Sequence, residues 1–356
     1  MQIQKLSHLH IVLFIISTPS KVNKIKFWLA NARPMALPQS VLPALTAVAL
    51  SIHSDGFVWW LAVLAVLGVM LAHLGLNLFD DYFDTKRKKQ TYREELVHTG
   101  MRARIGKTPY LISGAATEKQ LFIASCLFCG LSVLIGCVIL WFRGINIFYI
   151  TAVTAVIGMQ YSAPPLRLSY RGLGEFVIFL VFGCLNMIGV GLAANGEFST
   201  KLFLLSVPVG LLVMNIVYIH SILDYIPDKM VGKSTLAVLL GNQKAMLVLL
   251  FFVIFVPFLS ILVGILLKIL GIKYLFVFLL LPMAITLFKM MIDFVKTPDK
   301  KFSPKFWLGS MGDWKNITES GLDWFMIRWY SARNLVSFFC LIIIIINIVS
   351  GLKFQV

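Results

Sequence analysis

The sequence predicts an all-α polytopic membrane protein: nine transmembrane helices in one bundle, with two aspartate-rich cytoplasmic helix ends. Three observations predict it. The 356 residues are 59% hydrophobic and only 13% charged. Nine apolar runs approach the roughly 20 residues that a helix needs to cross a bilayer. The basic residues divide unevenly between alternate connecting segments, as the positive-inside rule requires.

Residues 1–34 form an N-terminal segment. Its apolar run, Ile11 to Ile16, is too short to span, and Lys21, Lys24, Lys26 and Arg33 follow it. No small-residue cleavage site accompanies the run, so it reads as an interfacial segment rather than a signal peptide. The spans follow near 35–53, 57–78, 121–142, 145–162, 175–195, 202–222, 245–268, 273–291 and 335–351, making 35–351 a single transmembrane domain. With these nine spans, 27 of the 32 Lys and Arg fall on the side of the N-terminus. The N-terminus is therefore expected in the cytoplasm of a bacterial cell and the C-terminus outside.

Two cytoplasmic loops are long, about 79–120 and 292–334. The second contains Trp307, Trp314, Trp324 and Trp329, and the stretch Leu322 to Tyr330 reads as an amphipathic helix lying in the interface. The net charge of +16 sits beside membrane segments. This placement favours the lipid bilayer and an anionic substrate as partners and excludes nucleic acid. The five cysteines all lie in apolar runs. Cys126 and Cys129 form a CxxC pair, but no second pair or histidine completes a zinc site, so they read as packing residues.

Acidic residues are costly at the end of a membrane-length segment unless they function there. The second run closes with Asn77, Asp80, Asp81 and Asp84. Asn77, Asp81 and Asp84 stand at i, i+4 and i+7, so one helical face presents all three, with Asp80 beside them. Hard oxygen ligands of this kind suit Mg²⁺ bridged to a substrate phosphate. The sixth run closes with Asp224 and Asp228, and Pro227 is expected to bend or end the helix there. By the charge count both groups face the same side, so a diphosphate held through Mg²⁺ between them is the economical reading. Lys229 and Lys233 supply cations beside it. Gly232-Lys233-Ser234 lacks the upstream glycine and strand of a phosphate loop. After the fourth run, Pro164-Pro165 stiffens a turn that can aim Arg167, a residue suited to gripping phosphate, and Tyr161 offers a phenol at the membrane face.

Three stretches together resemble the UbiA-type membrane prenyltransferases, nearest to the 1,4-dihydroxy-2-naphthoate branch of menaquinone synthesis. They are Asn77 to Asp84; Tyr161 to Arg167 with Arg171-Gly-Leu-Gly-Glu175; and Asp224 to Gly241. Ala30 to Pro38 is also similar to the family's start, and the resemblance covers about residues 27–350. The first motif departs from the four-residue step often seen, and the neighbourhood of His220 and Ser221 replaces a usual Asn. The resemblance implies transfer of an isoprenyl chain from a prenyl diphosphate to an aromatic acceptor. Asp81, Asp84, Asp224 and Asp228 would hold Mg²⁺, assisted by Asn77 and Asp80. Arg167, Lys229, Lys233 and Arg93 would neutralise the leaving diphosphate. Within the family the alternative acceptors are 4-hydroxybenzoate, haem, chlorophyllide or a lipid alcohol. From another class, a cation-coupled transporter would use the same acids, but such sites lie nearer the bilayer midplane.

Overall fold

The computed structural model describes residues 24–86, 108–298 and 300–351. The apolar run Ile11 to Ile16, Arg93 and residues 87–107 of the first long loop lie outside them. The described residues are helical throughout, apart from turns and one isolated backbone bridge. The helices are α1 Lys24–Asn31, α2 Pro38–Ser51, α3 Trp59–Thr85, α4 Glu118–Arg143, α5 Ile145–Met159, α6 Gly174–Asn195 and α7 Thr200–Leu223. After them come α8 Tyr225–Met230, α9 Leu236–Leu240, α10 Gln243–Leu266, α11 Leu281–Lys296, α12 Trp314–Glu319 and α13 Asp323–Gly351.

Seven described helices are long and apolar enough to cross a membrane: α3, α4, α6, α7, α10, α11 with its preceding 3₁₀ segment, and α13. The other two expected spans fall on α2 and α5, which have 14 and 15 residues. At 1.5 Å per residue these helices reach only about 20 Å, against a hydrocarbon core of about 30 Å. Sequence punctuation cuts them short. Pro34 and Pro38 set the start of α2, and Gly144 at positive φ fixes the start of α5. The described residues thus supply seven helices of spanning length rather than the nine expected.

The bundle buries apolar side chains at its centre and turns others outward. Leu205, Val209, Leu212, Ile216 and Ile219 of α7 are fully buried at its centre, while α4 turns Leu127, Leu131, Leu134 and Trp141 outward. A reciprocal cap starts α4, with the Gln120 amide donating to Thr117 Oγ1 and the Thr117 amide to Gln120 Oε1. At its other end Arg143 donates to the carbonyls of Ala193 and Ala194, which the end of α6 leaves unbonded. Between α6 and α7 the backbones touch: a Cβ on Gly183 would lie 2.2 Å from the Gly210 Cα. Only a pair of glycines permits this approach.

Two expectations about the cytoplasmic segments change. The first long loop begins later than the expected 79, because α3 continues unbroken to Thr85 and carries the first acidic group on its helical end. The interfacial helix expected over Leu322 to Tyr330 is instead the first part of α13, a single helix of 29 residues. Trp324 and Phe325 are buried in it rather than anchored in headgroups. Trp324 stacks on Phe294 of α11, and the buried Arg328 donates to the Met290 carbonyl of the same helix.

Candidate active site

Helical periodicity places Asn77, Asp80, Asp81 and Asp84 on the inner side of α3, and all three carboxylates are buried. Buried carboxylates need partners, and the partners come from other elements. The Arg33 guanidinium, between α1 and α2, bonds Asp80 Oδ2 at 3.0 Å, Asp81 Oδ1 at 3.1 Å and the Asn77 carbonyl at 2.7 Å. Arg33 reaches this position from a left-handed backbone, φ 59°. Tyr110 donates to Asp81 Oδ2 at 3.0 Å, and Ser162 donates to Asp80 Oδ1. Asn77 points the other way, donating to the Ala32 carbonyl at 3.0 Å. It therefore fixes the Arg33 turn against α3. Burial by itself would lower the Arg33 pKa, but the Asp81 and Asp80 carboxylates outweigh it and hold the guanidinium charged. Burial, and then the Asp81 charge, push the Tyr110 phenol well above its ordinary value, so it stays a proton donor.

The second group sits at a break between helices. Pro227 has no N–H to give the Leu223 carbonyl four residues back, so α7 ends at Leu223 and the chain restarts as α8. Asp224 occupies the break and Asp228 the next turn, both buried. His220 Nε2 lies 3.0 Å from Asp224 Oδ2, and its ring meets Phe325 of α13 edge-on at 5.1 Å between centroids. The Lys233 amide donates to the Asp228 carbonyl at 2.8 Å, which folds the following loop back onto α8.

Between the two groups lies the turn 160–171. Backbone bonds from Leu168 to Gln160 and from Ser169 to Tyr161, both 2.9 Å, pin its base. Arg167 stands at its tip in the left-handed region, φ 47°. Such a backbone costs a non-glycine residue about 1–2 kcal/mol. Its guanidinium makes no hydrogen bond or ion pair among the described residues. Tyr170 of the same turn donates to Asp84 Oδ1 at 2.6 Å. Lys233 Nζ lies 5.7 Å from the centre of the Tyr170 ring, and Arg171 bridges Ser234 through the backbone. The three stretches singled out in the sequence therefore meet at one end of the bundle.

Not every expected residue joins them. Lys229 is exposed and leans on the Tyr225 ring of its own helix, 5.8 Å away. Tyr161 lies beside Gly174, its Cε2 3.4 Å from where a Cβ on that glycine would stand. Residues the sequence reading left unassigned are Arg33, Tyr110, Ser162, Tyr170 and His220. Arg33 stands in the similar N-terminal stretch, and His220 where an Asn is usual. Tyr110 carried no spacing signal, because its partner is 29 residues away.

No three His, Cys, Asp or Glu side chains converge on one metal-sized point among the described residues. Two of the expected ligands come from each acidic group, Asp81 with Asp84 and Asp224 with Asp228, and one or two carboxylates usually hold Mg²⁺ when substrate phosphates and water complete its shell. This hard-oxygen donor set fits that ion.

Comparison with known proteins accords with this geometry. The model of the UbiA prenyltransferase family matches residues 40–311. The 1,4-dihydroxy-2-naphthoate octaprenyltransferase of Haemophilus influenzae is 28% identical over 234 residues, which cover 62% of this chain and 71% of that protein. The enzyme of the same name from Bacillus subtilis is 27% identical over 217 residues, 61% of this chain and 67% of that one. A UbiA homolog from Archaeoglobus fulgidus, solved bound to GPP and Mg²⁺, superposes with a TM-score of 0.57 at 17% identity. It covers 86% of this chain and 98% of its own, and it shows the shared fold.

Proposed function

Because the chain belongs to the UbiA prenyltransferase family, we propose that it transfers a polyprenyl group from prenyl diphosphate to 1,4-dihydroxy-2-naphthoate in menaquinone biosynthesis. The transporter alternative gives way to family membership. One observation carries the site assignment: Tyr170 and Lys233 join the turn bearing Arg167 to both acidic groups. Two carboxylate groups flanking a guanidinium that makes no hydrogen bond or ion pair among the described residues form a cradle for a diphosphate. The Archaeoglobus homolog's GPP and Mg²⁺ support the same ligand class.

The chain's own groups then divide the work. Asp81, Asp84, Asp224 and Asp228 hold Mg²⁺, which when bound neutralises charge on the diphosphate oxygens. Arg167 grips the phosphates, and Lys233 adds positive charge as the allylic C–O bond breaks. Arg33 and Tyr110 fix the Asp81 carboxylate, Ser162 fixes Asp80 and Tyr170 fixes Asp84. The apolar interior of the bundle keeps water from the allylic cation until the acceptor carbon attacks. The acceptor's carboxylate is lost during the transfer in this branch. In this reading 35–351 works as one domain with its acidic end in the cytoplasm, and α2 and α5, too short to span as helix alone, complete nine crossings together with the turns that flank them.

A product assay tests the proposal. Purified protein receives Mg²⁺, labelled polyprenyl diphosphate and, separately, 1,4-dihydroxy-2-naphthoate, 4-hydroxybenzoate or haem B. Labelled lipid with the naphthoate alone is the expected result. Product with another acceptor corrects the pathway and keeps the reaction; absence of product with every acceptor overturns both.

A further inference from the structure

Glu175 is a buried carboxylate, 2% exposed, that the proposed reaction does not use. It stands in the first turn of α6, where an acid commonly faces solvent and complements the helix dipole. Here it faces inward. Its Oε1 accepts from Ser221 Oγ of α7 and from the Leu236 amide of α9 at 3.3 Å. These two donors bracket the segment that carries Asp224, Asp228 and Lys233. Ser221 precedes Asp224 by one helical turn, and Leu236 follows Lys233 by three residues. The glycine contact between α6 and α7 brings Glu175 to this position, since a side chain at Gly183 or Gly210 would part the helices. Glu175 also begins its helix directly after the turn that carries Arg167 and Tyr170. One oxygen atom therefore ties both ends of the second acidic segment to the base of the phosphate-gripping turn.

We propose that Glu175 is a positioning residue that staples the 222–235 segment closed and so sets the placement of Asp224, Asp228 and Lys233 for the diphosphate. The inference rests on the diphosphate site proposed above. It predicts that acceptance of the two hydrogen bonds matters, since both converge on a single oxygen that an amide can replace.

The bracket can be opened from either side. Leu236 is the first residue of α9, and Thr235 before it is extended, φ −72° and ψ 167°. Proline is tolerated at such a position, and the preceding residue already has the backbone that proline demands. Leu236→Pro thus deletes one donor and leaves the helix intact.

The test is binding of geranyl diphosphate with Mg²⁺ to purified protein in detergent, with the melting temperature recorded in parallel. Glu175→Ala is expected to weaken binding about 10-fold or more, and Glu175→Gln to stay within about 3-fold of wild type, because its amide oxygen still accepts. Leu236→Pro is expected to weaken binding about 3- to 10-fold relative to Leu236→Ala, which loses the same packed side chain but keeps the amide. Equal losses in Glu175→Ala and Glu175→Gln, or binding by Leu236→Pro as tight as by Leu236→Ala, overturn the staple. Asp224→Ala separates the two levels: if it binds as wild type, the diphosphate site itself falls. If it loses binding while Glu175→Ala does not, only the role of Glu175 falls. Should Glu175→Ala fail to fold, Leu236→Pro and Glu175→Gln decide the matter.

Discussion

Tyr170 donates its phenolic hydrogen to Asp84 Oδ1 at 2.6 Å, across 86 residues of sequence, while Lys233 Nζ lies over the Tyr170 ring, 5.7 Å from its centre. A tyrosine outside the acidic motifs is thus the joint between them. Tyr170→Phe keeps the ring under Lys233 and deletes the hydrogen bond. A bond to a charged group is worth about 1.5–3 kcal/mol, so KM for prenyl diphosphate should rise about 10-fold or more. Steady-state kinetics with an unchanged KM would show that the joint is dispensable.

Arg33 compensates two buried carboxylates at once. Removing one partner of a buried ion pair costs about 3–5 kcal/mol, because the other charge is stranded. Arg33→Ala should therefore lower the melting temperature in detergent, and adding Asp81→Asn should restore part of the loss. A double variant no more stable than the single one contradicts the pairing.

Asp81→Ala and Asp224→Ala should each abolish Mg²⁺-dependent turnover of folded protein. Wild-type activity in either variant would remove that carboxylate from the proposed site.

Arg167, at the tip of its turn, makes no side-chain hydrogen bond or ion pair among the described residues. Arg167→Ala should raise KM for prenyl diphosphate about 30-fold, the loss of a bidentate charged contact of about 2 kcal/mol, with little change for the acceptor. Arg167→Lys should restore only part of it, since an ammonium lacks the planar fork. Equal effects on both substrates would count against the assigned role.

The raised pKa of Tyr110 has a consequence in alkali. Below the ordinary phenol value of 10.0 both folded and unfolded chains carry the proton. Above it the unfolded chain releases the proton and the folded chain retains it, so stability falls as pH rises past 10. Tyr110→Phe should flatten that alkaline limb of a melting-temperature profile. An identical slope in both proteins would place the alkaline loss elsewhere.

Much of this molecule was legible in the sequence. Apolar run length marked the membrane helices, because the thickness of the bilayer sets a local requirement that no distant residue alters. Spacing put Asn77, Asp81 and Asp84 on one face of a helix, because helical periodicity is equally local. Pro227 foretold a break beside Asp224, since a missing N–H acts only on the residue four before it. Packing decided the rest. The fusion of the expected interfacial helix into α13 depends on what that segment meets, Trp324 on Phe294 and Arg328 on the Met290 carbonyl. Arg33, Tyr110, Ser162 and Tyr170 reached their carboxylates from 29 to 86 residues away. Such hydrogen bonds have no sequence period, and only the way the helices cross determines which donor arrives at which buried acid.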